Sequence, residues 1–476
     1  MIPLLTSLDF LSAGRAWPPP AELERLNLYK ENRLLFEGRH EKVYKEWVRL
    51  LRADQQATLE IILNWNRRLS TLWADLMLGE PPRITAGEKG SPEQEAVERL
   101  IRDNDLINVA YEVALDVSRF GTGLFKIRYD GRGIIEGQQP ECWFPVVRPD
   151  NVKEVVAHVL AYTYEERTKD LLGREKVQTW LKAELHERGR VVSARYSLKD
   201  GVIAGEVERE ERETGVDDFL VVPVNNVLTT DRVYGLDDYS DLDSVVQELE
   251  IRVAQISRIL DKHADPNMYG PDTALERNEK TGEWTFRGGG KYFPVGPEEA
   301  PPGYVTWDGQ LDSAFRQIEL LMEQLYALSE TSAAAFGQLK AGLAESGTAL
   351  RRLMMAPLAK VNRIRMRFDP ALKKALQLAA ALEVAQGMSG AVKLENISIA
   401  WNDGLPQDDK EQAEIYSLLT QNGLVSRETA LRHLFQFDAE TLRQELTKIA
   451  AEAVTETPMI YRPSLQTNQT PAGGEQ

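Results

Sequence analysis

The sequence predicts an α+β chain whose helical and strand-rich stretches are segregated rather than alternating. Three observations carry this. Apolar residues recur at helical spacing between residues 21 and 120. The period then changes to two between about residues 123 and 223. From residue 240 onward, two long helical patterns bracket an insert rich in glycine and proline at 265–310.

Taken in order, residues 1–20 end in Trp17-Pro18-Pro19-Pro20, which predicts a stiff extended lead. A helix is expected over 21–36, with Leu23, Leu26, Leu28, Leu34 and Leu35 interleaved with charges. A strongly amphipathic helix is expected over 58–78, stopped by Gly79 and kept from resuming by Pro81-Pro82. A polar loop at 86–93 leads to helices over 94–104 and 106–120, the second ending at Gly121. GLFKIRYDGRGIIEG then reads as a β-hairpin turning at Asp130-Gly131. WFPVVRPDN, EVVAHVLAYTYEER and VQTWLKAELHERGRVVSARYSLKDG continue the strands. Residues 173–220 are highly charged and predict an exposed meander, and 219–223 close the β region.

Helical patterns follow over 240–264 and 311–328. A small-residue stretch, 332–347, precedes a third pattern over 348–382, with kinks expected at Pro357 and Pro370. A strand is expected over 392–401. Helices are expected over 408–422, 426–434 with Ser426 as N-cap, and 439–456. Residues 457–476 lack apolar periodicity and are expected to be disordered.

Composition narrows the function. Apolar content of 42% with 28% charge fits a soluble globular chain. No run of about 18 apolar residues predicts a membrane span, and the opening residues lack the basic start of a signal peptide. The lone Cys142 excludes an intrachain disulfide framework and is expected to be buried beside Trp143 and Phe144. A net charge of −17 argues against a generic DNA binder, whose affinity comes from neutralising phosphates. An acidic chain can still surround DNA if its task is to let DNA slide past, where weak attraction is an advantage.

Catalytic signals are missing. RGGGKYF resembles a phosphate loop only faintly, because Thr285 stands where its first glycine belongs and Tyr292 follows Lys291. GRGIIEG misses the dinucleotide fingerprint by one residue and reads as a turn. None of the five histidines lies three to five residues from another, so local metal-ligand spacing is lacking. No G-x-S-x-G elbow is present. The chain is therefore expected to be no enzyme and to need no cofactor or metal.

The helix over 240–264 shows an apolar face of Leu242, Val245, Val246, Leu249, Val253, Ile256, Ile259 and Leu260, opposite Glu248, Glu250, Arg252, Arg258, Asp261 and Lys262. Its partner carries Leu311, Phe315, Ile318, Leu321, Leu325 and Leu328. Such a pair fits either a monomer core or lateral packing with copies of itself. The segment after the small-residue stretch holds Arg351, Arg352, Lys360, Arg363, Arg365, Arg367, Lys373 and Lys374. It is the only strongly basic part of the chain. Three readings stay open for it: a solvated face paired with acids, charge balance inside an assembly, or contact with DNA phosphates.

Several stretches, in this order, resemble portal proteins of tailed double-stranded DNA bacteriophages, in the branch with long non-contractile tails. They are YKENRLLFEGRH, NWNRRLSTLWADLMLGEPPRI, SRFGTGLFKIRYDGRG, SETSAAAFGQLKAGLAESGTALRRLM and LPQDDKEQAEIYSLLTQNGLVSRETALRHL. The resemblance implies a portal fold with helical stem, strand-rich clip, α/β wing and helical crown. By it, 1–20 is a lead, 21–239 the wing, 240–264 and 311–330 the stem helices, and 265–310 the clip. The tunnel loop is 331–347, 348–404 a long kinked helix with a return strand to the wing, 405–456 the crown and 457–476 a disordered tail.

The implied function is a dodecameric ring at one capsid vertex, the channel for DNA packaging and ejection. Implied partners are other copies of the chain, double-stranded DNA, the terminase large subunit, a head-completion or adaptor protein, scaffold and the major capsid protein, with no membrane. Assembly would take place in the host cytoplasm. The residues facing DNA would be Gln338, Leu339, Lys340, Ala341, Gly342, Leu343, Ala344 and Glu345. Those meeting partners would be Trp284, Phe286, Arg287, Gly288, Gly289, Gly290, Lys291 and Tyr292. Another virion ring or adaptor component is one alternative, against which the length argues. A nucleic-acid enzyme with a hidden site is the other.

Overall fold

The computed structural model describes residues 4–44, 61–169, 175–264, 268–271, 276–277, 284–285, 292–295, 303–304, 311–338, 347–402, 409–435, 437 and 439–455. The chain is α+β and forms two compact units, residues 1–343 with 350–404, and residues 344–349 with 405–476.

The largest sheet of the first unit is an antiparallel meander of β4 (Trp143–Arg148), β5 (Asn151–Lys169), β6 (Glu175–Glu187), β7 (Arg190–Lys199) and β8 (Val202–Glu213), in that spatial order. Alternation sets its faces: Val192, Ala194, Tyr196 and Leu198 of β7 point into one core while the residues between them do not. The meander expected over 173–220 is thus half-buried along β6 and β7, and exposed mainly along β8.

The amino-terminal lead is part of this sheet rather than a stiff extended arm. Leu5 bridges Val146 in β4, and Trp17 N–H donates to Gly201 O at 2.8 Å beside β8. Between these anchors a 3-10 turn, Leu8–Leu11, carries Phe10 into the core, and the Trp17 ring centroid lies 4.9 Å from that of Phe144. Apolar residues at 5, 8, 10, 11 and 17 cover the sheet, so burial overrides the stiffness of the prolines.

A second sheet orders β3 (Gly133–Gly137), β2 (Thr122–Tyr129) and β9 (Val221–Asn225). The hairpin turns at Asp130-Gly131 as expected, with Gly131 at φ 69°. β1 (Arg83–Ala86) pairs antiparallel with β15 (Ile397–Ala400). The sequence reading placed no strand at β1.

The early helices are α1 (Leu23–Glu37), α2 (Trp65–Leu78), α3 (Pro92–Asp103) and α4 (Leu106–Phe120). The helix expected from residue 58 starts only at Trp65. Asn64 caps it by accepting from Arg67 N–H at 3.1 Å, residues 61–64 are not helical, and 58–60 lie outside the described residues. Cys142 is half-buried in a 3-10 turn rather than core, and burial pushes its thiol up to about 11.

The spine of the first unit is a 31-residue helix, α8 (Met355–Ala385), preceded by the short α7 (Gly347–Leu353). Phe368, Leu372, Ala375, Leu376 and Ala379 bury its inner face, with Phe368 edge-on to Phe125 of β2. Pro357 does not kink this helix. It sits in the first turn, where a missing N–H costs nothing, so the break falls before it, at Met354. Pro370 lies within the helix.

The second unit holds α9 (Asp409–Gln421), α10 (Arg427–Phe435) and α11 (Ala439–Thr455). Ser426 caps α10, its hydroxyl accepting from Thr429 N–H at 3.1 Å. The expected disordered tail, 457–476, lies outside the described residues.

Candidate functional site

Two helices frame the candidate site, α5 (Asp243–Ala264) and α6 (Asp312–Leu328), which pack on each other with Gln317 Nε2 donating to Glu248 Oε1 at 3.3 Å. Leu242, Val246, Leu249 and Ile256 are buried as expected. Glu250, assigned by periodicity to the outer face, is fully buried instead. Its Oε1 lies 2.8 Å from His40 Nδ1 and accepts from Leu63 N–H at 2.9 Å. A buried carboxylate is tolerable only with such partners. Leu260 is likewise 52% exposed rather than core. On α6, Leu325 is buried, but Phe315, Leu320 and Leu328 are 48%, 55% and 49% exposed.

Past the end of α6 the chain makes a short ledge. Ser329 Oγ donates to Leu325 O at 2.6 Å and lies 2.7 Å from Thr331 Oγ1. Glu330 between them is left-handed at φ 57°, a conformation that costs a side-chain-bearing residue energy. One Nη of Arg363 in α8 reaches both its carboxylate oxygens at 2.8 Å. A 3-10 turn follows, Ala333–Phe336, capped by Ser332 and closed by Gly337 at φ 78°. The Trp65 ring, at the start of α2, lies 4.6 Å from Phe336 and 5.6 Å from Tyr326. The Tyr326 hydroxyl donates to Gln338 Oε1 at 3.3 Å.

Most of the basic segment is engaged within its own chain. Lys360 pairs with Asp238 at 2.8 Å, Arg363 with Glu330, Lys373 with Asp369 at 2.6 Å and Lys374 with Asp218. Arg365 donates to Leu76 O and Asn402 O, and Arg367 to Asn226 O. Arg351 and Arg352 are exposed on α7. Of the three readings, pairing with acids holds for Lys360, Arg363, Lys373 and Lys374.

Of the expected DNA-facing residues, only Gln338 is described, exposed at the end of the ledge. Leu339, Lys340, Ala341, Gly342, Leu343, Ala344 and Glu345 lie outside the described residues. Of the expected partner-binding residues, Trp284 stands in β12 (Trp284–Thr285), opposite Arg277 of β11 (Glu276–Arg277). Tyr292 opens β13 (Tyr292–Val295), parallel to β10 (Met268–Pro271), whose other neighbour is β14 (Gly303–Tyr304). Phe286, Arg287, Gly288, Gly289, Gly290 and Lys291 lie outside the described residues. Sequence reasoning missed Trp65, Tyr326, Glu330 and Arg363 as a group, because nothing local marks a meeting between α2, α6 and α8.

Among the described residues, no cluster of three or more His, Cys, Asp and Glu side chains is arranged to hold a metal. No described helix is long and apolar enough to cross a membrane.

A family model described as "Phage portal protein, SPP1 Gp6-like" matches residues 19–459. The chain belongs to this portal family. As a portal protein it is a structural, non-enzymatic phage component. No curated protein matches the chain. Among solved structures, the portal is similar to a chain from "Virion of native gene transfer agent (GTA) particle". They share 12% identity with TM-score 0.44, over 90% of this chain and 96% of that one. A chain from "Neck of empty GTA particle computed with C6 symmetry" matches at 12% identity and TM-score 0.41, over 78% of this chain and 89% of that one. The family membership rests on the family model.

Proposed function

We propose that this portal protein assembles as a dodecameric ring at one capsid vertex. The ring forms the channel through which double-stranded DNA is packaged and ejected, and the dock for the terminase large subunit and head-completion or tail proteins. The observation that carries this reading is the apolar surface that α6 leaves exposed around its circumference. Phe315, Leu320 and Leu328 each stand about half-exposed on an isolated chain. Three large apolar side chains on one helix favour lateral contact with a neighbouring copy.

In this reading, 240–264 and 311–330 are the stem, 265–310 the clip, 331–347 the tunnel loop, 348–404 the long helix with its return strand, 21–239 the wing and 405–456 the crown. Residues 338–345 face DNA, with Lys340 the phosphate contact. Residues 284 and 286–292 meet the motor and adaptor. Scaffold and the major capsid protein meet the ring at the vertex. The acidic balance of the chain keeps DNA from sticking to the channel, and the engagement of the α8 cations inside the subunit preserves that repulsion.

Native mass spectrometry with class averages of the purified protein tests the assembly. Rings with a central hole and a mass near twelve subunits are expected. Monomers at high concentration, in the presence of scaffold protein, would overturn it. Lys340→Glu should leave rings intact and lower the yield of DNA-filled particles. Replacing Gly288, Gly289 and Gly290 by bulkier residues should impair motor docking more than ring assembly.

A further inference from the structure

We propose that the ledge from Ser329 to Gln338 is a positioning latch, in which Trp65 is the keystone and Glu330 sets the direction of the chain. Its task is to hold the base of the segment that begins at residue 339. The inference rests on the reading of 331–347 as the channel loop, and it goes beyond that reading by naming residues that no DNA contacts.

Four observations carry it. Trp65 stands at the start of α2, far along the chain from residue 336, yet its ring packs against both Tyr326 and Phe336, at 5.6 and 4.6 Å. Those two rings also stack on each other at 6.1 Å. A three-ring cluster of this kind locks two rotatable bonds per ring and resists sliding, because aromatic edges and faces attract only in particular orientations. Second, Gln338 is tied back twice. Its N–H donates to Ala333 O at 3.0 Å, and its side-chain oxygen accepts from Tyr326, a member of the ring cluster. Gln338 is thus tied both to the 3-10 turn and to the ring cluster.

Third, Glu330 holds a left-handed backbone with no glycine to ease it. The surrounding bonds over-determine that shape: Thr331 N–H donates to Tyr326 O at 2.9 Å, and the buried Ser329 and Thr331 hydroxyls meet at 2.7 Å. Arg363 then ties the Glu330 carboxylate to α8. That ion pair is about 40% exposed on both sides and contributes little stability alone; its use is to orient. Fourth, the buried Trp65 indole N–H has no acceptor among the described residues. The indole's contacts among the described residues are therefore ring contacts.

The arrangement links α2, α6 and α8 at one point and sends the chain out from there. Loosening it would let the base of the loop wander without disturbing the helix faces that meet neighbouring copies.

The test uses full-length protein with Cys142→Ser and Ala334→Cys, spin-labelled at 334 in the 3-10 turn so that Gln338 keeps both its bonds. Trp65→Leu should leave the native mass of the assembly unchanged and raise label mobility severalfold. Trp65→Phe keeps an aromatic ring against Phe336 and Tyr326 and should raise mobility far less than Trp65→Leu. Glu330→Gly keeps the left-handed backbone and removes the carboxylate, and should raise mobility less than Trp65→Leu. In infected cells that carry the variant in place of the wild-type chain, Trp65→Leu should cut DNA-filled particles severalfold, with Trp65→Phe restoring them. Unchanged label mobility in Trp65→Leu overturns the latch. Raised mobility with undiminished filled particles overturns its role in DNA passage. Deletion of 339–346 separates the two readings: if that deletion also leaves packaging intact, the channel-loop assignment is what fails.

Discussion

The ammonium of Lys360 lies 2.8 Å from Oδ1 of Asp238, with side-chain exposures of only 6% and 4%. The pair is one node of a buried network. Asp238 also accepts from Ser118 Oγ at 2.7 Å and from Asn226 Nδ2 at 2.8 Å, and Lys360 Nζ stands 4.6 Å from the centroid of Trp73. Ser118 leads on through Ser70 to the Tyr239 hydroxyl. The network joins α2, α4 and α8 to the turn before α5, so the helix read as basic surface is bolted into the core by its own charge.

Lys360→Met should therefore destabilise the protein by about 3–5 kcal/mol, because it leaves the Asp238 charge buried with only neutral partners. Adding Asp238→Asn should recover most of that loss, since a neutral amide no longer needs the cation. Denaturant midpoints of the two single variants and the double variant check this. An additive double variant would mean that the pair is not energetically coupled.

Acid should weaken the fold through His158. It is buried opposite His186 across β5 and β6, and its Nδ1 accepts from Trp143 Nε1–H at 3.0 Å. Burial, then the nearby His186, hold its pKa down to about 3 against a usual 6.5, with Asp218 opposing. The folded state thus binds its proton later than the unfolded chain. Stability is full above pH 6.5 and falls as the pH drops from 6.5 toward 3, by up to roughly 5 kcal/mol. His158→Gln keeps an acceptor for Trp143 and should flatten the melting temperature against pH between 6 and 4. His186, also depressed by burial, leaves a residual slope.

Asp243, in the first turn of α5, works in the opposite sense. Burial and then the Asp237 charge push its carboxyl up to about 7, although the Tyr44 hydroxyl donates to it at 3.4 Å. A raised carboxyl contributes stability that is present below the unfolded value of 3.8 and lost as the pH rises through 7. Asp243→Asn removes that loss and keeps an acceptor for Tyr44. Its advantage over wild type should be small at pH 4 and reach about 4 kcal/mol at pH 8, as read from unfolding midpoints at the two values.

Local signals explain what was legible in the sequence. Gly121 ends α4 and Asp130-Gly131 turns the hairpin because only a few residue types take those backbone conformations cheaply. The period-two stretch revealed the meander because one face of each strand is buried. The rest depended on distance along the chain. β15 falls inside the strand expected over 392–401, but its partner β1 is only four residues long, lies across most of the sequence and carries no strong pattern of its own. Glu250 sits on α5 where periodicity expects solvent, and its partners, His40 and the Leu63 N–H, come from distant parts of the chain. The cations of α8 look like a phosphate-binding stripe until Asp238, Glu330 and Asp218 are placed beside them. The ledge was invisible for the same reason, since its keystone, Trp65, belongs to an earlier helix.

A last prediction concerns the close approach of Gly121 and Gly235. Gly121, at φ 75°, ends α4, and a Cβ there would overlap the backbone carbonyl of Gly235. A Cβ on Gly235 would in turn overlap the Gly121 carbonyl and lie 3.0 Å from Asn226 N. Both neighbours are backbone, so no side chain can swing aside. The contact is also held from both directions: Asn226 N–H donates to Gly121 O at 2.8 Å, and Gly235 N–H to Thr122 Oγ1 at 3.0 Å. Alanine at Gly235 must therefore part the two segments and loosen these bonds, at a cost of about 2–3 kcal/mol. Alanine at Gly121 adds a left-handed penalty of about 1 kcal/mol. Because either change separates the same segments, the double variant should lose clearly less than the sum of the two, which chemical denaturation of the three variants would measure. Strict additivity would show that each glycine serves a separate contact and that the crossing is not one structural unit.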